Sequence, residues 1–190
     1  MDEHLLSTRA AVLVEGVSDQ RAVEALARRR GRDLESEGVR IVSIGGAQAI
    51  RGSLELFGPH GLDLRLAGLC DVGEEGHFRR ALEWVGLGSG LTREDMEALG
   101  FFVCVADLED ELIRVLGPRR VEEIVEGEGE LGSFRTLQKQ PEWRERETHD
   151  QLRRFMGSGG SRKIRYARYL VEALDLAAVP RPLDGVLAAV

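Results

Sequence analysis

Ala11-Val12-Leu13-Val14-Glu15-Gly16-Val17-Ser18-Asp19 is an apolar run, fit for a buried strand, that passes through a carboxylate and a glycine straight into the start of a helix. A glutamate at the C-terminal end of a parallel strand stands where open α/β sheets place their chemistry. Asp19, four residues on, shares the helical face that position 15 would occupy if the helix reached back. Two carboxylates on one strand-to-helix elbow suit a hard divalent cation, which takes oxygen ligands. The competing reading is a tight turn in which Ser18 or Asp19 only caps the helix that follows.

Working outward, residues 39–44, 64–70 and 101–106 form further short apolar runs, and all but 64–70 share with 11–14 a richness in β-branched or aromatic residues. Stretches of helical character lie between them, at 18–30, 48–57, 77–85 and 92–99. Strands separated by crossovers of a dozen or more residues predict an α/β fold with a mostly parallel sheet of about four strands, flanked by helices. Beyond Ala106 the pattern turns helical, at 108–116, 121–125, 143–156 and 163–174, with a Glu/Gly-rich turn after the second. Pro180-Arg181-Pro182 starts a short terminal segment whose apolar residues 186–190 should pack back on the body. The expected organisation is one domain over 1–175, with a helical insertion or extension from about 108, and a C-terminal segment over 176–190.

A chain of 190 residues holds one well-buried core and not two full-size domains. No apolar stretch reaches the length of a membrane span, and Met1-Asp2-Glu3-His4 lacks the basic segment of a secretion signal, so a cytoplasmic location is expected, with no membrane partner. Cys70 and Cys104 sit in apolar runs without metal or redox spacing and read as reduced core residues. The net charge of −7 argues against bulk electrostatic coating of nucleic acid. Its distribution is uneven: residues 151–170 carry Arg153, Arg154, Arg162, Lys163, Arg165 and Arg168 without an acid, whereas 121–130 is strongly acidic. His4, His60, His77 and His149 lack ligand spacing and receive no role; Trp84 and Trp143 read as packing residues within helices, and the low aromatic content offers no base-stacking platform.

Acids recur at the strand ends. Glu15 follows the first strand, Asp71 the third and Asp107 the fourth, with Glu109 two residues further. Parallel strands point the same way, so these carboxylates should gather along one edge within roughly 10 Å. Like charges so placed are tolerable when a divalent cation compensates them or when some take up protons. Singly, Asp71 and Asp107 also suit the N-caps of the helices that follow them. Gly157-Ser158-Gly159-Gly160-Ser161-Arg162-Lys163-Ile164-Arg165 is a glycine-rich loop running into a basic helix start, where Gly159, Gly160, Ser161, Arg162, Lys163 and Arg165 are candidates to hold a phosphate. It lacks the glycine before lysine of a Walker A loop; the alternative is a flexible linker.

Three pieces together resemble a TOPRIM domain of the OLD-family (overcoming lysogenization defect) nuclease type. VLVEGVSDQRAVEALARRRG is similar to the family's glutamate motif, LCDVGEEG to its aspartate motif, and VADLEDEL with GSGGSRKIRYA to its later acidic and lysine motifs. The resemblance implies a Rossmann-like TOPRIM fold and Mg2+- or Mn2+-dependent hydrolysis or nicking of DNA. It implies that Glu15, Asp19, Asp71, Asp107 and Glu109 hold metal, and that Glu15 and Lys163 are catalytic, Lys163 stabilising the transition-state charge. One departure stands out. The family's DxD reads Asp71-Val72-Gly73 here, so a carboxylate is missing, and Glu74 or Glu75 is the candidate to replace it. The second departure is the short stretch before the first strand, which leaves no room for the ATPase domain that precedes TOPRIM in the family. A stand-alone protein, or one served by a separate ATPase partner, is therefore expected. The alternative function is a catalytically weakened TOPRIM module that binds nucleic acid or a partner ATPase without cleaving.

Overall fold

The computed structural model describes residues 7–190; Met1-Asp2-Glu3-His4, with the reading of a missing secretion signal, lies outside them. Strands β1 (Ala10–Val14), β2 (Val39–Ser43), β3 (Arg65–Asp71) and β4 (Phe101–Cys104) form one sheet in the order β2-β1-β3-β4. Every pairing is parallel, with Val14 opposite both Ser43 and Leu69, and Asp71 opposite Cys104. From β1 the chain crosses to β2 on one side through helix α1 (Val17–Arg29). It then returns past β1 to β3 through a 3-10 turn and helix α2 (Ile50–Phe57). The strand order thus reverses between β1 and β3, and the crevice at their C-terminal ends is where such sheets bind ligands.

Alternate residues of β1 enter different cores, as a strand buried on both faces requires. Ala10, Val12 and Val14 join one cluster, Ala11 and Leu13 the other. The second cluster is covered by α2, α3 (Glu75–Trp84) and α4 (Arg93–Ala98), through Ile50, Leu54, Phe78, Leu82 and Met96. The first is covered by α1 and by the helical half of the chain: α5 (Leu108–Leu116), α6 (Pro118–Gly127), α7 (Leu131–Gln138), α8 (Thr148–Gly157), α9 (Gly160–Ala173) and α10 (Arg181–Ala188). Helix α9 lies against α1, so the two helices whose first turns carry Asp19 and Lys163 run as neighbours. Gly68 lets β3 pass the Phe101 ring, since a Cβ there would lie 2.4 Å from a ring carbon.

This is the α/β arrangement the alternation predicts, with local differences. Helix α7 follows the Glu/Gly-rich turn where the pattern gives no element; its short apolar face, Phe134 and Leu137, is too small to register as a period. Trp143 stands outside the helix expected over 143–156, because α8 starts only at Thr148. The terminal segment is a helix, with Leu183, Val186 and Leu187 buried against the body. Both cysteines are free and buried, and burial pushes their thiols above the ordinary range. Among the described residues no helix is long and apolar enough to cross a membrane.

Candidate active site

Glu15 leaves the end of β1 and turns toward β3, where its Oε1 accepts the Asp71 N–H at 2.8 Å. This bond ties the two strands at the switch point. Burial raises the Glu15 carboxyl above its usual range; the Asp71 N–H opposes the rise, and the charges of Asp19 and Glu74 add to it. Asp19, in the first turn of α1, is 9 % exposed and accepts the Gly16 N–H at 2.9 Å. Asp19 thus makes the capping bond that the competing reading expects. The same residue also faces the site: burial raises it, and the charges of Lys163 and Asp107 act on it in opposite directions.

Asp71 is pushed up to about 8 by burial and then by the charges of Glu15, Asp19 and Asp107. It does not cap α3, whose N-cap position is Glu74. Asp107 does cap α5, its Oδ1 accepting the Asp110 N–H at 2.8 Å, while its Oδ2 accepts from Arg153 of α8 at 2.7 Å. Glu109, in the first turn of α5, is 2 % exposed. Its Oε2 lies 3.3 Å from Lys163 Nζ, and its Oε1 is buried with no hydrogen-bond partner. Burial carries Glu109 up to about 7 against the pull of Lys163. Desolvation lowers Lys163 itself, but Glu109, Asp19 and Asp71 outweigh it and hold the amine above the ordinary lysine value.

The folded chain thus brings Glu15, Asp19, Asp71, Asp107, Glu109 and Lys163, drawn from β1, α1, β3, α5 and α9, into one electrostatic neighbourhood. Among the described residues no three His, Cys, Asp or Glu side chains stand as a ready-made ion cage. The donor set nevertheless suits a divalent cation. Every candidate ligand is a carboxylate, as Mg2+ and Mn2+ prefer, and Glu109 keeps a buried oxygen that nothing in the fold satisfies. Such an orphan costs about 1–3 kcal/mol unless something binds it. Lys163 at Glu109 and Arg153 at Asp107 offset part of the negative charge that an ion would compensate.

The phosphate-binding candidates separate into two groups. Helix α9 begins at Gly160 with Gly159 as its N-cap, so Gly160, Ser161 and Arg162 present first-turn amides that the helix does not use. Arg162 and Arg165, however, both reach Glu130, Arg162 also bonding Ser158 and stacking on Phe155. Glu130, at the end of the acidic stretch, is the acid that meets the basic run here. Of the two acids proposed to replace the carboxylate missing at Gly73, Glu75 is held by Arg79 and Arg93, whereas Glu74 acts on Glu15.

Two residues beside the site escape sequence reasoning. Arg153 lies 46 residues from its partner Asp107, and His149 meets Asp110 at 2.7 Å across 39 residues. Only the basic run 151–170 hinted at Arg153, and nothing local marks His149.

A parallel sheet in this order, with acids at the ends of β1 and β3 and a lysine-bearing helix beside them, is the arrangement that the resemblance to a TOPRIM domain implies. A family model described as Overcoming lysogenization defect protein-like, TOPRIM domain, matches residues 7–72, which contain Glu15, Asp19 and Asp71. The C-terminal region of the Xanthomonas campestris pv. campestris OLD protein is similar at a TM-score of 0.76 and 22% identity, over 98% of this chain and 93% of that one. That of the Burkholderia pseudomallei OLD protein gives 0.72 and 20%, over 96% of each chain. No curated protein matches the sequence. The resemblance to the OLD-type TOPRIM domain therefore holds, by family match for β1 to β3 and by fold for the whole described chain.

Proposed function

We propose that this protein is a metal-dependent nuclease of the OLD-like TOPRIM type that hydrolyses or nicks DNA, with residues 1–175 as the catalytic domain. The observation that carries the reading is Glu109: a carboxylate sealed in the fold, one oxygen on Lys163 and the other on nothing, facing Asp19 and Asp107. A structural ion pair would satisfy both oxygens. Glu15, Asp19, Asp71, Asp107 and Glu109 would hold Mg2+ or Mn2+. When bound, the cation supplies charge neutralisation at the phosphate and polarisation of water.

The chain's own residues do the positioning. Glu15 orders the switch point through the Asp71 N–H and is placed to take a proton from the attacking water, since its raised affinity brings it nearer neutrality. Lys163, charged at neutral pH and half-exposed, stands beside the site to stabilise charge on the phosphoryl oxygens in the transition state. The first turn of α9, Gly160 and Ser161 foremost, directs amide hydrogens outward as an anion seat. The implied partners are DNA and a separate ATPase, in the cytoplasm.

Incubation of supercoiled plasmid with purified protein and Mg2+ or Mn2+ tests the proposal. Nicking that disappears with EDTA, in Glu15→Ala and in Lys163→Ala is expected; absence of cleavage across plasmid, linear and single-stranded substrates would refute it. One observation favours the second reading, a binding module without cleavage: Gly73 stands where the second aspartate would. Its Cβ position has nothing within 4 Å, so Gly73→Asp should fold without strain. If calorimetry shows at most one Mn2+ per chain, no plasmid is nicked, and Gly73→Asp creates both a second site and activity, the second reading is correct.

A further inference from the structure

Beside the carboxylate rim lies a cleft of about 440 Å3 walled by Asp107, Trp143, Arg146, Asp150, Arg153 and Arg154. Asp107 belongs to both. The cleft's volume falls in the roughly 300–1,000 Å3 range of small-ligand sites. Its far wall is a turn that the fold holds rigid: the buried Gln151 side chain donates to the carbonyls of Trp143 and Arg146 at 2.7 and 2.9 Å, and accepts from Gln138 at 2.6 Å. A buried amide with its donors so used fixes the backbone on which Trp143 and Arg146 stand.

The lining is chemically unusual for this molecule. Arginines nearby are paired, Arg153 with Asp107, and Arg162 and Arg165 with Glu130. Among the described residues Arg146 and Arg154 form no ion pair, and Arg154 sits 5.9 Å from the Trp143 ring centroid. Trp143 packs one side against the core, as its sequence context suggests, and is only partly buried, so part of the indole remains accessible. Arg154 lies over the indole and Arg146 lines the same cleft, neither in an ion pair among the described residues although Asp150 shares the lining, so the accessible part of the indole offers a planar ring a stacking surface and an attached phosphate two guanidinium groups.

We infer that this cleft holds one unstacked nucleotide of a nucleic-acid strand next to the scissile phosphate, with its base on Trp143 and its phosphate on Arg146 and Arg154. The location beside the cleavage site rests on the nuclease reading; the binding itself does not. A base can reach the indole only when it is free of its own stack, so the cleft selects single-stranded or frayed strands over closed duplex.

The sequence contains two tryptophans, and Trp84 is 62% exposed on α3, so Trp84→Phe leaves Trp143 as the sole indole reporter. Titrating that variant with oligothymidylate in EDTA should give saturable quenching of Trp143 fluorescence. Anisotropy of a labelled oligonucleotide should show Trp143→Ala binding about 5- to 100-fold more weakly, and Trp143→Phe close to the parent. Arg146→Gln with Arg154→Gln should flatten the slope of log K against log salt by about 0.7, for the one phosphate no longer neutralised. Circular dichroism verifies that each variant folds. Equal quenching by a blunt duplex or by inorganic phosphate, quenching unchanged by the double arginine variant, or no saturable quenching would each overturn the inference. Glu15→Ala should still be quenched. Quenching without any nicking by the parent would remove the nuclease reading and leave the cleft standing, and nicking without quenching the reverse.

Discussion

Replacing Asp71 with asparagine should stabilise the metal-free protein at pH 8 and leave it nearly unchanged at pH 4. Burial, followed by the negative charges of Glu15, Asp19 and Asp107, holds the folded carboxyl protonated up to about 8, whereas its ordinary value is 3.8. Below pH 4 both folded and unfolded chains carry the proton, and the group's contribution is fully present. Between pH 4 and pH 8 only the unfolded chain releases it, so the unfolded state gains and stability falls as pH rises through the folded value. Each pH unit in that window costs at most about 1.4 kcal/mol, giving an upper limit near 6 kcal/mol. Asp71 retains contact with water, and screening reduces the expected penalty to about 2 kcal/mol. Asparagine cannot ionise and keeps the backbone N–H that Glu15 accepts. In a chain of this size the variant's Tm should then exceed the parent's by about 4–8 °C at pH 8, and by about 1 °C or less at pH 4. Glu109, raised to about 7, titrates in both proteins and largely cancels in the comparison. Thermal melts in EDTA at pH 4, 6 and 8 measure the difference. A Tm gain equal at all three pH values, or a loss at pH 8, would show that the folded protein does not hold Asp71 protonated above its ordinary value.

Three other perturbations follow from the geometry. Lys163→Met leaves Glu109 without its cation and should cost about 1–3 kcal/mol at pH 8 by urea denaturation, most of it recovered in Lys163→Met with Glu109→Gln. Gly185→Ala places a Cβ 2.3 Å from the Phe102 ring, which should loosen α10 from β4 and lower Tm by about 2–10 °C without changing nicking of plasmid. Arg153→Ala releases Asp107 Oδ2 from a competing cation, so calorimetry should show Mn2+ bound several-fold more tightly; unchanged affinity would mean that Asp107 takes no part in ion binding.

The sheet was legible because its signal is local. Val12 and Val14 facing one core and Leu13 the other make an unbroken apolar run, and the acid and glycine behind it mark the strand end. The convergence of Glu15, Asp71 and Asp107 on one edge was legible too, as strand direction alone determines it. What the sequence hides is pairing between remote elements. The recruitment of Arg153 to Asp107, of His149 to Asp110 and of Arg162 to Glu130 depends on how α5, α7, α8 and α9 pack, and helix packing leaves no periodic mark of its partner. The same limit explains Trp143. Its neighbours have helical composition, but the backbone there is bent around Gln151, and that side chain's three hydrogen bonds outweigh helix propensity.

Capping and ion binding, which compete as readings of a lone aspartate, are compatible at this rim. A carboxylate has two oxygens, and a capping bond occupies one while fixing the orientation of the other. Asp19 gives Oδ2 to the Gly16 N–H, and Asp107 gives Oδ1 to the Asp110 N–H. Both bonds lie at helix N-termini, where the helix dipole favours the ionised form. The caps therefore lower the energetic cost of keeping negative charge in a buried cluster. Asp71, which has no capping bond, is the member pushed up to about 8. The caps fix the position of Asp19 and Asp107, whereas no such bond holds the Asp71 carboxylate. Cation binding should thus be strongest where Asp71 ionises, tightening from pH 6 to pH 8 with release of about one proton in the parent and fewer in Asp71→Asn. Calorimetry in two buffers of different ionisation enthalpy counts those protons, and an equal count in the two proteins would place the titrating group elsewhere.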